Sequence, residues 1–152
     1  MRKSLLSIFV LTTVLFVSCG NKSTANSSVA PTDSLSMNTQ PQYIKADVYE
    51  TTAGPLKVTL VGHASLMFEF GGKIIHVDPY SKVADYSKLP KADLILLTHE
   101  HGDHLDSAAI AAVKKANTHF IVSKVCNEIL KYGDVINNGD HVHWANLHIV
   151  VE

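Results

Sequence analysis

Beyond its second residue the chain contains no arginine. Without a guanidinium fork it has no bidentate grip on phosphate, and 13 basic against 14 acidic residues leave no basic block to track a polynucleotide. Nucleic acid is therefore not expected as a partner. Cysteine is also scarce. Cys19 closes an N-terminal apolar run and Cys126 lies far along the chain in a segment expected to be helical, so a disulfide between them is not expected. Cys126 reads as a small buried hydrophobe. The N-terminal apolar run, residues 5–17, is too short for a membrane span, which needs about 20 residues. With 152 residues, 46% hydrophobic and 18% charged, the composition suits one globular domain with little left for a second. No internal repeat is visible.

What is present begins with an address. Arg2 and Lys3 precede the apolar run, and Ser18-Cys19-Gly20 ends it with small residues, the pattern of a secretory signal. A cysteine directly after a small residue resembles a bacterial lipoprotein signal. That resemblance implies a signal peptide over residues 1–18 and lipidation of Cys19, placing the protein at the cell envelope, anchored to a membrane. The alternative is a secreted or periplasmic protein. Residues 19–42, rich in Ser, Thr, Asn and Pro, bury too little apolar surface to offset chain entropy and read as a flexible tether. Residues 43–152 form the folded part.

That part is rich in strand patterns. Residues 57–61 and 65–70 run apolar or alternate, and Gly71-Gly72 makes a tight turn into 73–77. Asp78-Pro79 ends this strand, because proline has no N–H for a ladder. Residues 93–97 are almost wholly apolar, as in a strand buried on both faces. A helix is expected over 107–115 with Asp106 as its N-cap, then a strand at 119–122 and a helix to about residue 132. Asn137-Asn138-Gly139-Asp140 signals a turn before an alternating segment, 141–144, and a final strand, 147–151. Strands followed by strand–helix alternation predict an α/β domain with a mixed sheet covered by helices.

Between the buried strand and the first helix stand His99, His101, Asp103 and His104. In extended chain, residues two apart point the same way, so His99 and His101 can reach one ion. Where the chain curls toward the helix, Asp103 and His104 turn to a neighbouring position and can serve a second. Gly102 suits a sharp bend or a close backbone approach. Imidazole with carboxylate suits zinc, or iron or manganese where oxygen ligands dominate.

The run Leu97-Thr98-His99-Glu100-His101-Gly102-Asp103-His104 resembles the H-x-H-x-D-H signature of the metallo-β-lactamase superfamily. Val61-Gly62-His63-Ala64-Ser65, Gly71-Gly72 and His76-Val77-Asp78-Pro79 are similar to the metal-dependent hydrolase branch that includes ascorbate-phosphate-lactonase-like and N-acyl-phosphatidylethanolamine phospholipase-like proteins. The likeness covers about residues 57–152. It implies the N-terminal part of an αββα sandwich, with His99 and His101 on one metal and Asp103 and His104 on another. Asp78 would support the metal loop from behind, and His63 would line the substrate side. Zn2+ is the expected ion, two per complete site, with Mn2+ or Fe2+ as alternatives. The implied reaction is hydrolysis by metal-bound hydroxide, with Asp103 orienting or deprotonating the water. Phosphodiesters, lactones and related esters, small or lipid, are the implied substrates.

The superfamily's remaining ligands come from loops after later strands, and residues 105–152 offer no convincing counterpart. The chain is therefore expected to hold the front part of a hydrolase and to have little activity alone. The alternative is a non-catalytic envelope lipoprotein that keeps a relict of the fold for binding or assembly. Other histidines are expected to play lesser roles. His141 and His143 form a pair without a third ligand nearby and read as a solvated face, and His76, His119 and His148 read as packing residues. Glu100 alternates away from its histidine neighbours and receives no catalytic role.

Overall fold

Two tight turns organise the first half of the domain. The computed structural model describes residues 44–152. Cys19, the expected signal and the expected tether lie outside the described residues. Strands β1 (Lys45–Thr51), β2 (Gly54–Gly62), β3 (Ser65–Phe70) and β4 (Lys73–Val77) form an antiparallel meander. Gly71 and Gly72 join β3 to β4 with φ of 54° and 73°, the left-handed conformation that a two-residue hairpin turn requires. At the first turn the Thr51 hydroxyl donates to the Gly54 carbonyl at 2.6 Å and fixes the reversal.

The direction of pairing changes after β4. Strands β5 (Leu94–Leu97), β6 (His119–Val122) and β7 (Asp134–Val135) run parallel to it, giving one seven-stranded sheet in the order β1 to β7. Parallel neighbours need crossovers, which helices α1 (Ser107–Val113) and α2 (Lys124–Leu130) supply. Asp106 caps α1 as its sequence position predicts, accepting from the backbone N–H groups of Ala108 and Ala109. The helix stops two residues earlier than expected. Lys114 turns extended, and the Lys115 ammonium reaches Asp93 at 2.7 Å, an anchor that a continued helix would pull away. Asp93 also accepts from the Ile74 N–H, so its carboxyl, held below the usual range first by Lys115 and then by this bond, ties β4 to β5.

The sheet separates two apolar layers. On one face Val61, Met67, Ile95, Leu97, Phe120 and Val122 pack with Ala109, Ile110, Val113 and Cys126 of the two helices. Cys126 is fully buried, and burial pushes its thiol up, so it packs as an inert hydrophobe. On the other face Ile75, Leu94, Ile121 and Ile136 meet Val142, Trp144, Leu147 and Ile149. These come from a separate two-stranded sheet, β8 (His141–Trp144) and β9 (Leu147–Val150). Helices thus cover only one face, where the sequence suggested that they cover the sheet as a whole. The hairpin shields the middle of the second face, while Leu60 toward its end is 46% exposed. Among the described residues no helix is long and apolar enough to cross a membrane.

His76 shows how this core treats a polar ring. It has no exposed surface, and its Nε2 donates to the Pro90 carbonyl at 3.0 Å while Nδ1 has no partner. Burial pushes its pKa below the ordinary 6.5, with the Pro90 bond working in the opposite direction. The unfolded chain takes up this proton first as pH falls, so the stability His76 contributes is complete above about pH 6.5 and is lost progressively below it. Urea unfolding midpoints at about pH 7.5 and about pH 5.5 should therefore differ less in His76→Gln than in the parent. An unchanged difference would show that other groups set the acid sensitivity.

Candidate metal centre

The loop after β5 is fixed by one carboxylate at the end of the neighbouring strand. Asp78 is 2% exposed and takes φ of 43°, a conformation rare for a residue with a side chain. Its N–H still pairs with the Leu96 carbonyl at 3.0 Å, extending the β4–β5 ladder by one rung. Its Oδ1 then accepts from the Thr98 N–H at 2.9 Å, replacing the next rung. Oδ2 accepts from the Thr98 hydroxyl at 2.6 Å and from His104 Nδ1 at 2.8 Å. The Ser65 hydroxyl, buried behind it, holds the Asp78 carbonyl at 2.5 Å.

These bonds determine which nitrogen each imidazole presents. His104 gives its Nδ1 proton to Asp78, so its Nε2 carries the lone pair. Thr98 has one hydroxyl proton and donates it to the Asp78 carboxylate. Its oxygen therefore accepts from His99 Nδ1 at 3.0 Å, which leaves His99 Nε2 as a second lone pair. The His99 ring lies 3.7 Å from that of His104 and 4.8 Å from that of His101, centroid to centroid. All three imidazoles of the loop are thus brought together beside the ends of β4 and β5.

Asp103 faces the opposite wall. Its Oδ2 accepts from His63 Nε2 at 2.7 Å and lies 3.6 Å from His104 Nε2. The His63 bond is the main cause that holds the Asp103 carboxyl below its usual range. His63 follows Gly62 in the turn between β2 and β3 and has φ of 53°. Ligand atoms of His63, Asp103 and His104 all lie within 4.8 Å of one another. Two imidazoles and a carboxylate at this separation form a donor set suited to a divalent ion, with one imidazole already oriented by a carboxylate behind it. The residues fit a metal.

The resemblance paired Asp103 with His104 and left His63 toward substrate. The geometry places His63 in contact with Asp103 and also on the wall of an open cleft of about 800 Å3. Tyr80, Ser81, Lys82, Gly102 and Asp106 line the rest. Sequence reasoning passed over Thr98, although its place directly before His99 was the available signal. It also passed over residues 80–82, which follow Asp78-Pro79 with no motif of their own. Ser81 matters locally, because its N–H and hydroxyl both donate to Asp106 and tie this loop to the start of α1. His141 and His143 face solvent, as expected, but a third histidine joins them. Pairing of β8 with β9 sets His148 directly opposite His143. His119 pairs with Asp134 at 2.9 Å and stacks on Trp144, and His76 is the buried ring described above.

Residues 57–150 match the family described as the beta-lactamase superfamily domain. The chain belongs to that superfamily. It is 52% identical over 63 residues to a UPF0173 metal-dependent hydrolase of Flavobacterium johnsoniae, covering 37% of this chain and 28% of the relative. A UPF0173 metal-dependent hydrolase of a Geobacillus species is 44% identical over 95 residues, 60% of this chain and 42% of the relative. A crystal structure from Parabacteroides distasonis, of a protein provisionally named a metal-dependent hydrolase, superposes with a TM-score of 0.64 at 46% identity. The match covers 66% of this chain and 46% of that one. The chain therefore spans less than half the length of these relatives. The mixed sheet and helices are those of a metallo-β-lactamase-like fold, and the His/Asp cluster lies within the matched segment.

Asp78 offers a direct test of the arrangement. Asp78→Asn keeps the shape of the side chain but removes the anionic acceptor for Thr98 and His104. Zn2+ affinity, measured by calorimetry, should fall by roughly 10–100-fold, the usual cost of losing a carboxylate behind a ligating histidine. Equal affinity in the two proteins would mean that Asp78 serves the backbone ladder and not the imidazoles.

Proposed function

We propose that the chain carries part of the active site of a metal-dependent hydrolase that cleaves phosphodiesters, lactones or related esters. The observation that carries this reading is the meeting of His63, Asp103 and His104 within 4.8 Å, beside His99 and above a buried carboxylate that orients His104. His99 and His101 would hold one Zn2+ and Asp103 and His104 a second, with His63 at the cleft wall beside them. A divalent ion held there supplies Lewis acidity and lowers the pKa of water to about 7, which gives a nucleophile at neutral pH.

The protein's own groups contribute position and charge. Asp103, kept ionised by His63, offers Oδ2 as an acceptor for a proton of the attacking water. Asp78 and Thr98 keep His104 and His99 in the tautomer that leaves Nε2 free. Lys82 shares the cleft wall with Asp103 and Asp106 and is the group there that could meet an anionic ester oxygen. A lipid anchor at Cys19 and a tether over residues 19–42 would hold this domain at a bacterial envelope membrane, within reach of lipid esters.

The four loop residues alone give each ion two ligands; His63 would bring the second to three, the number catalytic zinc usually takes from the protein, while the first, on His99 and His101, would still lack one. The further ligands would come from the counterpart of the length by which the relatives exceed the matched segment. The test is hydrolysis of bis-p-nitrophenyl phosphate, a lactone panel and aryl esters by this 152-residue chain and by the full-length Parabacteroides distasonis relative. Turnover abolished by chelator and restored by Zn2+ is expected from the longer protein, with at most a trace from the shorter. Strong chelator-sensitive turnover by the 152-residue chain would overturn the incomplete site. A metal-loaded longer protein that cleaves none of the panel would favour a binding or assembly role.

A further inference from the structure

The outward face of the β8–β9 hairpin is made largely of histidine. Val142, Trp144, Leu147 and Ile149 turn inward onto the sheet, so strand alternation sends His141, His143 and His148 outward, where all three are exposed. Their register brings them together. His143 and His148 are directly paired, and His141 stands one pair away along the same face. The His143 and His148 rings stack with centroids 4.5 Å apart and planes 12° apart, and His141 lies 5.1 Å from His148 on its other flank. Trp144 anchors the ribbon from beneath by stacking on His119, which is itself paired with Asp134.

We infer that His141, His143 and His148 form a second metal site, separate from the loop at residues 99–104, which takes a borderline divalent cation such as Cu2+ or Zn2+. His141 Nδ1 and His148 Nε2 lie 3.1 Å apart. Metal–nitrogen bonds of about 2.0–2.1 Å put adjacent ligand nitrogens about 3.3 Å apart in a tetrahedron and about 2.9 Å apart in a square plane. The observed separation falls between them, and the one proton shared by the two rings is what an ion would displace. His143 is the third donor: its ring stacks on that of His148 and joins the pair only when its exposed side chain rotates out of the stack. A donor set of imidazoles alone selects late first-row ions over magnesium or calcium. The β-ribbon supplies its rigidity at low cost, because its inner face is already fixed in the core.

Copper(II) is the discriminating probe. The whole chain is titrated with Cu2+ alone and followed by electron paramagnetic resonance, with two variants alongside: His143→Asn with His148→Asn, and a loop variant carrying His99→Asn, His101→Asn and His104→Asn, which breaks the His63, Asp103 and His104 cluster as well. The expected result is a tetragonal signal with nitrogen hyperfine structure that persists in the loop variant. The hairpin variant should lose it and bind one fewer ion, or bind it at least roughly tenfold more weakly. Equal stoichiometry and affinity in the parent and the hairpin variant would overturn the site. So would a signal that only the loop variant loses. The substituted hairpin rings lie in solvent, so an unchanged melting temperature for that variant confirms that a lost signal reports ligands and not folding.

Discussion

The Asp78 carboxylate holds the site together. It ends β4, continues the ladder to β5 through its own N–H, and then substitutes side-chain oxygens for the backbone acceptors that a longer strand would have offered. The same two oxygens set the hydrogen-bond order through Thr98 to His99 and directly to His104. A buried carboxylate without partners would be costly. Here three donors converge on it, so its charge is compensated and the donors are fixed in return. Its positive φ is strain of the kind that persists only where surrounding bonds over-determine it, and the adjoining Pro79 removes the donor that could continue the strand.

The position of this carboxylate in the sheet explains why the candidate centre forms there. β4 is the strand at which antiparallel neighbours on one side give way to parallel neighbours on the other. The loop that leaves β5 must climb away toward α1, and the space it opens beside the end of β4 is filled by imidazoles. The opposite wall comes from the turn between β2 and β3, where Gly62 and His63 both take positive φ and send the His63 ring across to Asp103. Two strained turns and one tethered loop therefore meet at one end of a rigid sheet. This arrangement favours precise placement of ligands over adaptability.

Much of this was legible in the residues themselves. The apolar run at 93–97, the Gly71-Gly72 turn and the Asp106 cap are local signals, and each lies where the sequence implied. The His99 to His104 spacing likewise carries its own geometry. What could not be read depends on pairing across distance. Nothing near His63 indicates that a carboxylate 40 residues later will meet its ring. His148 becomes a neighbour of His143 only once the hairpin register is set, so the sequence left two histidines where the fold presents three. The layering was hidden for the same reason: inward residues of β8 and β9 look like any alternating pair until they find Ile75 and Ile121. The two-residue β7 is too short to leave a pattern.

The two halves of the sheet differ in how far along the chain their partners lie. The meander from β1 to β4 closes through turns of two residues, so each of its pairings costs little loop entropy. The parallel half requires β5 and β6 to find each other across the whole of α1, and non-local pairing of this kind is the slower process. The candidate centre draws on both: His63 and Asp78 belong to the early meander, while Thr98, Asp103 and His104 arrive with the parallel half, 20 to 40 residues later. The candidate centre is complete only when the loop after β5 has docked on the end of β4, so ion-binding competence reports the integrity of the whole sheet and not of the meander alone.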